Sequence, residues 1–200
     1  MKHLISRSHL SSRSRLSPKP RGKQKGTFSI EFAIIGVFFS LLIAFSGDVI
    51  IKLSVKGKLD RLSYSLVNIL KERTQFYSSD PDFTADGKVL NKISKQSLQR
   101  TMPTFENSNY GLLIESLAFY DPDDNSTYAS PYYQSLERGG NHCSVSDSLE
   151  DLESLAILSS WDRKVPLYRV TLCYETDNWI GDLLGTQFST VSSSSFMIGR

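Results

Sequence analysis

The chain has 200 residues, 40% of them hydrophobic, and a formal net charge of +2, which allows one membrane segment and one modest domain but not two full-sized ones. The near-neutral total hides an asymmetry: residues 1–26 carry eight Lys and Arg and no acid, which leaves residues 27–200 with 15 basic against 21 acidic residues, a net −6. Nothing downstream of the basic stretch supplies a nucleic-acid-binding signature, so that class of partner is set aside.

Residues 1–25 show no apolar periodicity and contain Pro18 and Pro20, which reads as a disordered leader. The stretch that follows, GTFSIEFAIIGVFFSLLIAFSGDVII over residues 26–51, has one carboxylate, Glu31, at the head of an uncharged run from Phe32 to Gly47. As a helix at about 1.5 Å per residue, positions 32–51 span roughly 30 Å, the thickness of a bilayer's hydrocarbon core. Lys52, Lys56, Lys58 and Arg61 follow the run, but the eight basic residues before it outnumber them. The expected topology is therefore an N-terminus in the cytoplasm and the remainder outside.

An acidic side chain deep in a bilayer costs on the order of 2.5 kcal/mol or more, so Glu31 needs a partner or a shallow position. The nearest cations, Lys23 and Lys25, lie upstream of Gly26. A cut after Gly26 would remove both and place the new α-amine of Thr27 one helical turn from Glu31, able to neutralise it in the same or an adjacent subunit.

Beyond the apolar run, Ile51, Val55, Leu59, Leu62, Leu66 and Leu70 recur at three- and four-residue steps and predict one continuous helix from about Phe28 to Tyr77. That stripe packs either on the protein's own domain or on neighbouring subunits; the pattern leaves both open. Ser78, Ser79, Asp80 and Pro81 end it. A second, weaker helix is expected from Asp86 and Gly87 to about Arg100, with Leu90, Ile93 and Leu98 as its apolar members, stopped at Met102, Pro103 and Thr104. Strands follow at Leu112–Tyr120, at Leu167–Glu175 with Tyr168, Val170, Leu172 and Tyr174 on one face, and at Phe188–Ile198, whose serines mark an exposed or edge strand. Leu149, Leu152, Leu155, Ala156 and Ile157 suggest a helix starting near Ser146 to Ser148, and a helical turn is expected at Asn178–Leu184.

Few residues carry chemistry. Cys143 and Cys173 are the only cysteines, and outside the cytoplasm they are expected to pair, with two buried thiols or a metal or redox role as the alternatives. His142 beside Cys143 adds a third candidate ligand, short of a usual zinc set. Asp121, Asp123 and Asn125 imitate the start of a calcium loop, but Ser126 and Tyr132 stand where that loop needs Gly and Glu. Asn125, Ser126 and Thr127 form a sequon that matters only in a eukaryotic secretory pathway. There is no Gly-x-Ser-x-Gly elbow and no phosphate-binding glycine loop, so neither an enzyme nor a cofactor is expected.

Gly26, Thr27, Phe28, Ser29, Ile30, Glu31 and Phe32 have the form of a type IV pilin processing site: glycine before the cut, glutamate fifth and an aromatic sixth after it, then an uncharged run. The form resembles the Flp and pseudopilin branch of the tight adherence (Tad) system, and within it TadF-like minor pseudopilins. The stretches LDRLSYSLVNILKERTQFY and VTLCYETDNWIGDLLG are also similar to that family.

The resemblance implies processing by a prepilin peptidase, an integral-membrane aspartyl protease, between Gly26 and Thr27. It implies docking through Glu31 and Phe32 with sister pseudopilins and the Flp pilin, assembly by a pilus secretion platform at the inner membrane, and a role in adherence and biofilm formation. The corresponding organisation is a leader over 1–26, a transmembrane helix over 27–51, an amphipathic extension over 52–77 and a periplasmic domain over 78–200. The fold class is α+β, a long N-terminal helix followed by a small mixed domain with an antiparallel sheet. Two rivals remain: a secreted domain released by a cut before Gly47, after the small-x-small sequence Ala44, Phe45, Ser46, and an uncut signal-anchored scaffold.

Overall fold

The computed structural model describes residues 27–76, 83–120, 130–160, 163–177, 181, 185 and 189–199. The order of elements is α1 (Thr27–Phe76), α2 (Phe83–Thr101), β1 (Tyr110–Tyr120), β2 (Ser130–Gly139), a 3-10 helix (Glu150–Leu155), β3 (Leu167–Glu175) and β4 (Thr190–Ile198). The chain divides into two units, residues 1–40 and 41–200. In the first unit, the described residues are the opening turns of α1, whose large apolar side chains are exposed.

The second unit is built on a four-stranded antiparallel sheet in the order β2-β1-β3-β4. Alternation along the two central strands gives the sheet two buried faces. On one, Tyr110, Leu112 and Ile114 of β1 and Tyr168, Val170, Leu172 and Tyr174 of β3 pack with Val55, Leu59, Leu62, Leu66, Val67 and Leu70 of α1 and Leu90 and Leu98 of α2. The helical stripe read from the sequence is thus buried in the protein's own domain from Val55 onwards, while Ile51 is exposed. The other face carries a smaller cluster, Leu117, Leu149 and Leu167, supported by Phe119, Tyr133, Leu152, Ala156 and Ile198. This cluster is roofed by part of the excursion between β2 and β3.

Several elements differ from the sequence reading. β2 was not anticipated; Pro131, near its start, is compatible with its place at the sheet edge. The acid-rich helix expected from Ser146–Ser148 is a 3-10 helix over Glu150–Leu155, broken by non-helical geometry at Leu152. Ile93 of α2 is exposed rather than buried. β1 starts at Tyr110, two residues before the expected strand, and β4 forms the opposite edge from β2. The end of α1 at residues 78–81, the calcium-like loop and sequon at 121–127, and nearly all of the turn at 178–184 lie outside the described residues.

Two glycines make the turn after β2 possible. Gly139 has φ +120°, a conformation that side-chain-bearing residues rarely adopt. At Gly111, opposite it in the ladder, a Cβ would lie 2.6 Å from the Cys173 sulfur, 2.8 Å from the Cys143 sulfur and against the Asn141 carbonyl. Only a glycine lets β1 pass beneath the disulfide.

Candidate assembly segment

Thr27 opens α1 and Glu31 stands four residues on, one turn along the same helix. Gly26 lies outside the described residues. Glu31 is exposed and, among the described residues, has no ion-pair partner. Phe32 is exposed too, and its ring stacks on that of Phe28 with centroids 6.4 Å apart and planes at 21°. Around them the apolar side chains face outwards in every direction: Phe28 is 78% exposed, Phe32 69% and Ile43 71%. A water-soluble helix would bury one side, whereas this one has no polar side to leave in water. By length and composition α1 is able to cross a membrane.

The run ends at an ion pair that the sequence reading did not single out. Lys52 Nζ lies 2.6 Å from Asp48 Oδ2, and both side chains are largely buried. Their i, i+4 spacing was the available signal. Lys52, counted above among the cations beyond the apolar run, is therefore matched by an acid one turn earlier. Further along α1, Lys56 pairs with Asp60 at 3.1 Å and donates to the Ser192 carbonyl of β4 at 2.9 Å. Ser63 meets the hydroxyls of Ser193 and Ser195 at 3.1 and 2.8 Å, and Ser193 donates to Asp60 at 2.5 Å. The serines that marked β4 as a polar strand are thus its means of attachment to α1.

Cys143 and Cys173 are joined in a disulfide with Cα atoms 5.6 Å apart. Beside it, Glu137 Oε1 accepts from the Cys143 N–H at 3.0 Å and lies 2.6 Å from Nδ1 of the exposed His142. Among the described residues, no group of three or more His, Cys, Asp and Glu is placed to hold a metal ion.

A second polar centre, also missed in the sequence, lies under the excursion. Glu115 and Arg169, directly opposed on β1 and β3, form a buried two-pronged pair at 2.5 and 2.7 Å. Glu115 also accepts from the Tyr133 hydroxyl at 2.9 Å and the Leu149 N–H at 3.1 Å, while Arg169 donates to the Asp147 carbonyl at 2.7 Å. Burial pushes the Tyr133 phenol above its ordinary pKa, and its hydrogen bond to Glu115 adds to the shift. The network joins backbone and side chains of β1, β2, β3 and the excursion, and so fastens the excursion to the sheet.

The first unit thus presents an exposed apolar helix headed by Glu31, which has no ion-pair partner among the described residues, and the second unit holds a buried Glu115–Arg169 network that fastens its excursion. Searches of curated proteins and of solved structures find no match. A family model does match, over residues 19–200, nearly the whole chain: it is that of TadF, described as putative tight adherence pilin protein F, and the chain belongs to this family.

Proposed function

We propose that this Tad pilus-related protein is a non-enzymatic minor pseudopilin, cut by a prepilin peptidase between Gly26 and Thr27 and held in the bacterial inner membrane by residues 27–51. The leader faces the cytoplasm, and the domain over 78–200, with the extension over 52–77, faces the periplasm. The single observation that carries the reading is the exposed apolar surface of the opening turns of α1 around Glu31, which has no ion-pair partner among the described residues. In the membrane that surface is solvated by lipid. On assembly it packs against the helices of sister pseudopilins and the Flp pilin, and the amine of Thr27 neutralises Glu31. The secretion platform performs this transfer, and the assembled pilus serves surface adherence and biofilm formation.

The test is the N-terminal sequence and intact mass of the protein extracted from its host's membranes, with and without the peptidase. A start at Thr27 that is lost in the peptidase-deficient strain is expected. A start at Gly47 would mean a secreted domain, and a retained Met1 in both strains would mean an uncut anchor. Glu31→Ala should leave the protein in the membrane and cut, yet abolish pilus assembly. Normal assembly by that variant would remove the carboxylate from the docking step.

A further inference from the structure

The solvent side of α2 is basic and partly apolar. Lys88, Lys92 and Arg100 are exposed around Val89, 54% exposed, and Ile93, and the one acid in the helix, Asp86, is buried. The excursion between β2 and β3 presents the reverse. Asp147, Glu150 and Asp151 are exposed in the same excursion as the exposed Leu155, Ile157 (56%) and Leu158 (58%), while Glu153 is engaged by Lys164 at 2.8 Å. Arg163 is the exposed base of the excursion, so each surface combines exposed aliphatic side chains with an excess of one charge, and the two excesses are opposite in sign. Neither the buried faces of the sheet nor the Glu115–Arg169 network uses these side chains.

We infer that the two surfaces are the halves of one interface between copies of this chain, the basic face of α2 on one copy docking on the acidic, aliphatic excursion of the next. Their placement fixes the kind of contact. Leu90 and Leu98 seat α2 on the sheet face that carries Tyr110 and Val170, whereas Leu149 and Leu152 seat the excursion on the face that carries Leu117 and Leu167. Because the halves lie on opposite sides of one sheet, a single domain cannot join them to each other. A two-fold dimer that matched like surface with like would set bases against bases and acids against acids. The complementary match is heterologous: each copy uses one face to bind and offers the other, giving a ring or an open array. Aliphatic groups supply the buried area, and the charges set orientation and partner choice. The contact belongs to the domain and stands apart from the processing step at Gly26.

The experiment places a photo-crosslinking amino acid at the exposed position Gln96 of α2 in the full chain. It is carried out in the host's membranes, with two differently tagged copies expressed together. The expected product is an adduct between the two copies, mapped by mass spectrometry to residues 147–158. Charge reversal of α2 with Lys88→Glu and Lys92→Glu should lower its yield about tenfold, and adding Asp147→Lys and Glu150→Lys to the same chain should restore it. These positions are exposed, and unchanged melting of each variant checks that the domain is intact. An adduct elsewhere on the second copy, an adduct only with a different polypeptide, no adduct, or a yield indifferent to the charge reversals would overturn the inference.

Discussion

Asp60 shows how a single side chain couples α1 to the sheet. Its carboxylate accepts from Ser193 on β4 at 2.5 Å and pairs with Lys56, one turn earlier on α1, at 3.1 Å. The Ser193 hydrogen bond holds its pKa below the ordinary 3.8; partial burial opposes the shift and Lys56 adds to it. A carboxylate with a lowered folded-state pKa stabilises the fold at pH values above its unfolded value. That contribution is lost as pH falls through the folded value, because the unfolded chain takes up the proton first. The full chain in detergent should therefore lose melting temperature less steeply between about pH 4 and pH 2 as Asp60→Asn than as wild type. Ser193→Ala, which removes the largest cause, should move the Asp60 titration back towards 3.8. An acid limb unchanged in both variants would mean that the Ser193 contact does not hold the charge.

Among the elements, the ones that sequence reveals are those whose apolar period is long or unbroken. The repeat from Val55 to Leu70 gives α1, and the apolar run in Leu167–Glu175 gives β3 with its residue limits unchanged. β2 was hidden because its ten residues mix Pro131, Gln134, Glu137 and Arg138 with only three large apolar or aromatic side chains, Tyr132, Tyr133 and Leu136. Its pairing depends on β1, a relation that no local window contains. The 3-10 helix misled for the opposite reason: Leu149, Leu152 and Ala156 have helical spacing, yet what they satisfy is the hydrophobic underside of an irregular roof.

The Glu115–Arg169 fastening holds that roof, and it was legible only as two charges inside two apolar strands. Arg169→Met should cost about 3–5 kcal/mol, because it strands a buried carboxylate. Glu115→Met combined with Arg169→Met should cost less than the single change. Denaturant midpoints measure the energies, and faster hydrogen exchange at the Leu149 amide, which donates to Glu115, reports release of the excursion. Protection of that amide equal to wild type in Arg169→Met would show that the excursion is held elsewhere.

At the scale of the whole molecule, the two ends of the chain require different surroundings. The opening turns of α1 are stable only where their exposed apolar surface avoids water, whereas the domain carries a disulfide that persists under oxidising conditions. Both requirements are met together if α1 crosses a membrane and leaves the domain on the oxidising side. The pair of cysteines was visible in the sequence and its pairing was the expectation outside the cytoplasm, but the structural load of the bond was not visible. The bond joins β3 to the residues just after β2, across Gly111, and so anchors the start of the excursion, while the Glu115–Arg169 network anchors its middle.

Closing a loop between residues 30 apart in sequence contributes about 3–4 kcal/mol in the chain-entropy model. Replacing both cysteines by alanine should lower the stability of the full chain in detergent by roughly that amount. It should also raise hydrogen exchange from residue 140 to Leu149 before the sheet itself opens. In the protein taken directly from host membranes, a thiol-alkylating mass tag should add nothing until the unfolded chain is reduced, and then two tags. Two tags without reduction would mean free thiols in the native chain, and with them the case for an exported domain would lose its chemical support.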